Sequence, residues 1–246
     1  MTRQKSVLIT GASRGIGAET ARVFAAAGYA VAVNYHRSEA AALALVDELT
    51  AAGHTALAVK ADVSDAAQVR NMVDNVLEIF CQLDILVCNA GISWEGLLTE
   101  MTEEEWRRVF AVNVDGVFHC CAAALPHFIH GKAGKIITVS SMWGQAGASC
   151  EVAYSAAKAA VIGFSKALAK EVGPSGITVN CVAPGVIDTE MNAHLSPRDR
   201  NALREETPLE RIGTARDVAE SILFLASEGA DFLTGQVLCP NGGLVI

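Results

Sequence analysis

Short apolar segments that alternate with longer helical segments place the strongest constraint on the fold of this chain. The predicted strands occupy residues 6–10, 29–34, 55–61, 83–88, 135–140, 177–182 and 236–239. The first predicted helix begins in a glycine-rich loop and ends at Gly28. The other predicted helices occupy residues 39–52, 65–80, 102 to about 125, 153–172 and 215–226. Strands that are apolar throughout and joined by helices are typical of a parallel sheet covered on both faces. The alternation therefore predicts an α/β fold with a doubly wound sheet of seven parallel strands.

One segment, residues 186–213, breaks this alternation. It is polar and contains Pro197 and Pro208, so we interpret it as an insertion that covers the substrate. Nothing else resembles a linker, a repeat or a low-complexity run, and the prediction is a single domain over residues 1–246. In open α/β sheets, ligands bind beyond the carboxyl ends of the strands. The residues at those ends are therefore the candidates for a functional site.

Charge and apolar content exclude several classes of function. The 246 residues carry a formal net charge of −8, and no basic face for a nucleic acid stands out. The longest mostly apolar stretch, residues 117–129, contains His119, Pro126 and His127 and is too short to span a bilayer. Without a recognisable export signal, the expectation is a cytoplasmic protein that binds neither nucleic acid nor membrane.

The seven cysteines favour neither a disulfide framework nor a metal site. Their number is odd, and no Cys-x-x-Cys pair occurs. Buried free thiols in a reducing compartment are the simpler interpretation. His119 beside Cys120 and Cys121 lacks partners at helical spacing, so no metal is predicted.

A glycine-rich loop follows the first predicted strand. Its spacing is Gly-x-x-x-Gly-x-Gly, with Gly11 suited to a tight turn, Gly15 to close approach by a pyrophosphate, and Gly17 to packing of the helix on the strand. The loop opens a strand–helix–strand unit at the start of the sheet. It therefore predicts a dinucleotide-binding, Rossmann-type fold, although a glycine-rich turn can also exist without a ligand.

The second predicted strand ends at Asn34, where an enzyme that prefers NAD usually carries an acidic residue for the ribose 2′-hydroxyl. Arg37 follows this strand, and Arg14 lies in the glycine loop. Both guanidinium groups could hold a 2′-phosphate, which predicts NADP (NADPH) as the cofactor. The alternative is that both arginines are simply solvated.

The next two strand ends also contribute candidate cofactor contacts. Asp62 and Val63 follow the third strand, where the carboxylate could accept a hydrogen bond from the adenine amino group or merely start a helix. Asn89-Ala90-Gly91 forms a tight turn after the fourth strand. The predicted cofactor contacts up to this point in the chain are Gly11, Ser13, Arg14, Gly15, Ile16, Gly17, Asn34, Arg37, Ser38, Asp62, Val63, Asn89, Ala90 and Gly91.

Tyr154, Lys158 and Ser141 are the most specific signal for chemistry. Tyr154 and Lys158 are four residues apart and project from one helical face, and Ser141 ends the fifth strand. A lysine ammonium should lower the pKa of the tyrosine, which could then donate a proton to a carbonyl oxygen. Ser141 could hydrogen-bond the same oxygen. The three residues predict the reduction of a ketone to an alcohol.

These residues together resemble the short-chain dehydrogenase/reductase family over essentially the full length of the chain. The matching segments are 10–17, Asn89-Ala90-Gly91, Asn113-Val114, Ser141, Tyr154 with Lys158, and Pro184-Gly185. The resemblance implies that Asn113 holds a water that links Lys158 to solvent and that Lys158 holds the nicotinamide ribose. It also implies cofactor contacts by Pro184, Gly185, Ile187 and Thr189, and a homotetramer.

Within that family the chain most resembles bacterial 3-oxoacyl-[acyl-carrier-protein] reductases, through Asn180, Gly235 and Asn241-Gly242-Gly243. This implies a role in fatty acid biosynthesis, with the ketone carried on acyl carrier protein. Trp143, Gln145 and Glu151 are the candidate substrate contacts. Trp143 would narrow the pocket and Glu151 would add negative charge, as in relatives thought to reduce an aminoketone on elongation factor P. The alternative for Glu151 is a helix-start residue favoured by the helix dipole.

A function of a different class also fits the cofactor loop, namely a non-catalytic sensor that binds NADP. The intact set of Ser141, Tyr154, Lys158 and Asn113 favours the enzyme.

Overall fold

A seven-stranded parallel sheet forms the centre of the protein in a computed structural model, which describes residues 3–193 and 195–246. The strands are β1 (Ser6–Ile9), β2 (Ala30–Tyr35), β3 (Ala56–Lys60), β4 (Ile85–Cys88), β5 (Gly134–Val139), β6 (Ile177–Val182), β7 (Ile187–Asp188), β8 (Gly213–Thr214) and β9 (Val237–Leu238). The order in the main sheet is β3-β2-β1-β4-β5-β6-β9, and β7 pairs with β8 separately. This order reverses between β1 and β4, which confirms the predicted Rossmann-type fold.

Helices cover both faces of this sheet. They are α1 (Gly15–Ala26), α2 (Glu39–Ala51), α3 (Ala66–Phe80), α4 (Glu103–Phe110), α5 (Gly116–Gly131), α6 (Trp143–Ala146), α7 (Val152–Val172), α8 (Pro197–Glu206) and α9 (Ala215–Ala226). Successive strand residues point to opposite faces. Val7 and Ile9 therefore pack with α1, α2 and α9, whereas Leu8 packs with α3, α5 and α7.

The helical segment after Thr102 is longer than predicted. Thr102 and Glu105 form a capping box at its start. The helix does not end near Leu125, because it continues through Pro126 to Gly131, with one π-helical turn at Ala111–Asp115. A proline removes one helical hydrogen bond, but burial of Phe128 beyond it holds this segment in the core. By length and composition Glu103–Gly131 could also cross a membrane; in this fold its buried face packs on the sheet.

The 186–213 segment contains more regular structure than its polar composition suggested. It includes β7, α8 and the first residue of β8, and residue 194 lies outside the described residues. Helix α8 begins with a capping box between Ser196 and Asp199 and has Pro197 in its first turn. Both are helix-start signals that the sequence contains, although the segment lacks the apolar periodicity that is typical of a helix.

Asn34 ties the carboxyl ends of three neighbouring strands together. Its side chain is buried, and its Oδ1 accepts a hydrogen bond from the Gly11 backbone N–H at 3.1 Å. Its Nδ2 donates to the carbonyl oxygens of Val59 and Ala61, each at 3.2 Å. One amide thereby holds the loop after β1 against the end of β3.

The substitution Asn34→Ala should lower the free energy of unfolding by about 1–3 kcal/mol, because it leaves buried backbone groups without partners. Urea denaturation measures this difference. Asn71→Ala is the matched control, since Asn71 is exposed on α3 and its loss should change stability by no more than about 0.5 kcal/mol. Equal losses in the two variants would contradict this role for Asn34.

Candidate active site

The four predicted catalytic residues are all buried near the carboxyl ends of β4 and β5. Tyr154 and Lys158 lie on the same face of α7, and the Lys158 Nζ is 5.6 Å from the centre of the Tyr154 ring. Ser141 lies just beyond β5, and Asn113 lies in the π-helical turn between α4 and α5. Residues from three separate parts of the chain therefore meet at one edge of the sheet.

Lys158 is fixed from several sides. Its Nζ donates a hydrogen bond to the Val139 carbonyl at 2.9 Å, and its own backbone carbonyl accepts one from the Ser140 hydroxyl at 2.7 Å. Gly144 of α6 packs directly on this turn of α7, because a Cβ at Gly144 would lie 2.7 Å from the Lys158 carbonyl carbon. The ammonium group is thus held in one position beside Tyr154.

Burial sets the protonation of this pair. It raises the pKa of Tyr154 to about 12, with a further rise from the negative charge of Glu151 and an opposing effect of the Ser141 hydrogen bond. Burial also lowers the pKa of Lys158 to about 8. The expectation that Lys158 lowers the tyrosine pKa is therefore wrong for this form of the protein, because desolvation of the phenolate is the larger effect. At neutral pH, Tyr154 keeps its proton.

Asn113 presents an unsatisfied acceptor to the same space as Lys158. Its Nδ2 donates to the carbonyl oxygens of Ile92 and Val109, whereas its buried Oδ1 has no hydrogen-bond partner. A Cβ built on Gly91 would lie 2.7 Å from this Oδ1 and 3.2 Å from the Lys158 Nζ. The unsatisfied acceptor and the ammonium donor therefore both lie against Gly91, which leaves no room for a side chain between them.

The glycine loop has the shape of a phosphate cradle. Gly11 has a φ of 61°, in the left-handed region that the tight turn requires. Gly17 packs so closely that a Cβ there would lie 2.5 Å from the Gly11 carbonyl oxygen. The Asn89 side chain supports the loop from behind by donating to the carbonyl oxygens of Thr10 and Gly11. The loop leads into the N-terminus of α1, which suits an anionic ligand.

The residues expected to contact the adenosine part of the cofactor fall into two groups. Asn34 is buried, and its side-chain amide forms hydrogen bonds with backbone groups. It therefore supports the glycine loop and does not face a ligand. Arg37 is exposed, and Ser38 is half-buried beside it. Arg14 lies in the loop and pairs with Glu190 at 3.4 Å.

Asp62 is not a helix-start residue. The N-cap of α3 is Asp65, whose side chain accepts from the backbone N–H groups of Ala67 and Gln68. Asp62 instead accepts from the backbone and hydroxyl of Ser64 at 3.0 and 2.7 Å. Val63 beside it is buried against Gly116 of α5.

The remaining predicted cofactor contacts surround the glycine loop or the catalytic group. The Pro184 carbonyl accepts from the Met142 backbone N–H at 2.9 Å, and Gly185 packs against Asn241. Ile187 is buried in the core. The Thr189 methyl group would lie 3.6 Å from a Cβ at Gly15, so the 186–213 segment covers the glycine loop.

The predicted substrate residues occupy α6 and the start of α7. The Trp143 backbone N–H donates to the Ser141 hydroxyl at 3.2 Å, which brings α6 against Ser141. Gln145 is exposed and accepts from the Cys239 thiol at 3.2 Å. Glu151 is the N-cap residue of α7, one turn before Tyr154, and its charge reaches the tyrosine. Of the three, Trp143 and Glu151 are the closest to the chemistry.

Several residues that position the site were not found from the sequence. Ser140 and Gly144 hold Lys158, and His36 and Arg108 both approach Asp62. Ser140 neighbours the predicted Ser141, but only the packing of α7 on β5 shows its role. His36 could have been found from its position at the end of β2. Within the described residues, all seven cysteines are free and no group of three or more candidate ligands could hold a metal ion.

Comparison with known proteins agrees with this geometry. Residues 11–245 match the family model described as enoyl-(acyl carrier protein) reductase. The chain is 43% identical over 244 residues to the 3-oxoacyl-[acyl-carrier-protein] reductase FabG of Staphylococcus aureus, covering 99% of both chains. It is also 43% identical over 240 residues to the corresponding reductase of Synechocystis, covering 97% of this chain and 96% of that one.

A solved structure has the same fold. The dehydrogenase/reductase from Sinorhizobium meliloti superposes with a TM-score of 0.93 at 36% identity, covering 100% of this chain and 96% of the other. These similarities agree with the strand order, the glycine loop and the buried tyrosine–lysine pair. The chain is an oxidoreductase that belongs to the short-chain dehydrogenase/reductase family.

Proposed function

We propose that this protein reduces the ketone of a 3-oxoacyl group on acyl carrier protein, with NADPH as the reductant. The observation that carries the proposal is the buried group of Tyr154, Lys158, Ser141 and Asn113 beside the glycine loop. The two reductases described above have names that state this substrate.

The protonation states suit the reductive direction. NADPH, when bound, would supply a hydride to the carbonyl carbon. Tyr154, with a pKa of about 12, carries the proton that the carbonyl oxygen needs. Ser141 can donate a hydrogen bond to the same oxygen. The Lys158 ammonium next to the ring stabilises the phenolate that forms, and Asn113 with a bridging water returns the proton from solvent.

Tyr154→Phe tests this role by removing the hydroxyl while keeping the ring. Turnover of a β-ketoester should fall by about a hundredfold or more, the scale of acid–base catalysis, with NADPH binding nearly unchanged. Absorbance of NADPH follows turnover, and fluorescence titration follows binding. A variant that retains most of its activity would exclude Tyr154 as the proton donor. If the native protein binds NADPH but reduces no ketone, the result would favour the alternative function, a non-catalytic sensor that binds NADP.

The preference for NADPH over NADH rests on charge at the end of β2. Arg37 is exposed there, and it makes no ion pair among the residues that the structure describes. Arg14 reaches the same edge from the glycine loop, where Glu190 is its present partner. A 2′-phosphate would give both guanidinium groups a dianionic partner.

Arg37→Asp should therefore reduce the ratio of NADPH to NADH affinity by about tenfold or more, because an attractive charge becomes a repulsive one. Fluorescence titrations with each cofactor measure the ratio. Arg70→Asp is the control, since it makes the same charge change at an exposed position on α3. Equal affinity of the native protein for the two cofactors would contradict the NADPH preference.

A second substrate class, a protein-bound aminoketone, is favoured by one observation. Glu151 lies one turn before Tyr154, and its charge acts on the buried hydroxyl. A carboxylate one helical turn from the reacting tyrosine would also attract a cationic group on the substrate. Such an attraction is worth on the order of 1 kcal/mol at a partly exposed site.

Glu151→Gln should narrow the native preference for an amino-substituted ketone over a neutral ketone of equal size by roughly fivefold. The comparison is kcat/KM for the matched pair, and raised salt should weaken the native preference. Glu78→Gln on the exposed face of α3 is the control. An unchanged ratio in Glu151→Gln would leave Glu151 as a helix-start residue and favour the acyl group.

We further propose that residues 1–246 form one domain, with 186–213 covering the substrate, and that the protein is a cytoplasmic homotetramer. Large apolar side chains remain exposed on two helices, with Phe118 on α5 and Phe224 on α9 about half exposed. Ala167 is exposed on α7, and Leu238 lies on the edge strand β9. Contacts between copies would cover these surfaces.

A further inference from the structure

Helix α8, in the middle of the 186–213 segment, contains no buried residue. Of its ten residues, only Arg200 and Leu203 are half-buried, and all the others are exposed. These two residues are three positions apart, so they share one face of the helix, which we call the inner face. Apolar packing therefore contributes little to the position of α8, and polar contacts must hold its inner face.

Arg200 joins the inner face of α8 to β7 and to the turn that follows this strand. Its Nη1 donates a hydrogen bond to the Asp188 carboxylate at 2.7 Å, and its Nη2 donates to the Asn192 carbonyl oxygen at 3.2 Å. The turn has its own support, because the Asn192 side chain donates to the carbonyl oxygen of the buried Ile187 at 2.8 Å. One guanidinium group thus ties a loosely packed helix to a fixed turn.

The two ends of α8 are attached to different parts of the protein. The turn at its start lies beside the glycine loop, where the Thr189 methyl group would be 3.6 Å from a Cβ at Gly15. Thr207, directly after the helix, is buried, and a Cβ at Gly242 would lie 2.5 Å from its methyl group. The Leu209 backbone N–H also donates to the Gly242 carbonyl oxygen at 3.2 Å. Helix α8 therefore spans the distance from the glycine loop to the C-terminal tail.

The chain segments that lead to these two supports meet beside Ser141. The Pro184 carbonyl oxygen accepts a hydrogen bond from the backbone N–H of Met142, the residue after Ser141. The next residue, Gly185, packs against Asn241 of the C-terminal tail. We therefore expect a ketone that is bound at Ser141 to extend beneath α8.

Leu203 gives the inner face of α8 its apolar character. The side chain is only half-buried, so part of its apolar surface is still in contact with water. An acyl chain that extends from the reacting carbonyl beneath α8 would cover this surface, and burial of apolar surface favours binding. A longer acyl chain would cover more of the surface than a short one. The position of Leu203 depends on the position of α8, which Arg200 holds.

We propose that Arg200 is a positioning residue that holds Leu203 over the acyl chain of the ketone. This inference rests on the proposed 3-oxoacyl substrate and extends it from the reacting carbonyl to the rest of the acyl group. Arg200 acts through α8 and does not contact the reacting atoms. Its loss should weaken the binding of long acyl groups more than that of short ones. Cofactor binding should not change, because the turn beside the glycine loop keeps its hydrogen bond from Asn192 to Ile187.

The experiment measures kcat and KM for two N-acetylcysteamine thioesters, one of acetoacetate and one of 3-oxodecanoate. The native protein is compared with Arg200→Gln, Arg200→Lys and Leu203→Ala. Arg198→Gln is the matched control, since it removes the same charge from an exposed position on the same helix. Fluorescence titration gives the dissociation constant of NADPH for each protein, and thermal unfolding shows whether each variant is folded.

Arg200→Gln should raise KM for the 3-oxodecanoyl thioester by about fivefold, the scale of one partly exposed ion pair, with kcat nearly unchanged. KM for the acetoacetyl thioester should change by less than about twofold. Arg200→Lys should recover only part of the loss, because an ammonium group lacks the planar fork that reaches both acceptors. Leu203→Ala should also raise KM for the long thioester alone, and Arg198→Gln should follow the native protein.

An equal rise in KM for the two thioesters in Arg200→Gln would overturn the proposal, since that is the effect of a merely structural residue. So would a loss of kcat alone, or weaker NADPH binding that accounts for the change. If Arg200→Gln does not fold, Leu203→Ala decides, and a native KM for the long thioester in that variant would overturn the proposal. Failure of the proposed function has a different signature, because the native protein would then oxidise NADPH with neither thioester.

Discussion

The site depends on buried asparagine amides that satisfy the backbone where the strands end. Loops follow the strands at the carboxyl edge of a parallel sheet, and the backbone N–H and carbonyl groups of those loops need hydrogen-bond partners. Asn34 and Asn89 fill this need on either side of Gly11, one by accepting from its N–H and the other by donating to its carbonyl. The glycine loop is thus rigid before any ligand arrives.

A third amide connects this framework to the chemistry. Asn113 donates both of its protons to the backbone, at Ile92 and Val109, and turns its oxygen toward the space beside Lys158. The π-helical turn widens the helix at this residue. The helix thereby departs from regular geometry at the residue to which the proposed mechanism assigns the bridging water.

Desolvation keeps the proton on the Tyr154 hydroxyl in this protein. A buried phenolate is disfavoured, and the carboxylate of Glu151 disfavours it further. A buried ammonium is also disfavoured, so Lys158 holds its charge less firmly than an exposed lysine does. The two shifts suit a reductase, because the hydroxyl must keep its proton until the substrate oxygen becomes negative.

The sequence by itself determined the strand–helix alternation, the sheet of seven parallel strands, the glycine loop and the pairing of Tyr154 with Lys158, because these follow from periodicity and short spacing. It did not determine that Asn34 supports the loop, that the helix passes through Pro126, or that burial raises the pKa of Tyr154. It also could not bring His36 to Asp62 or Glu190 to Arg14. Such contacts join residues far apart in the chain, and only the packing of the strands and of the covering segment decides which side chains meet and how much water reaches them.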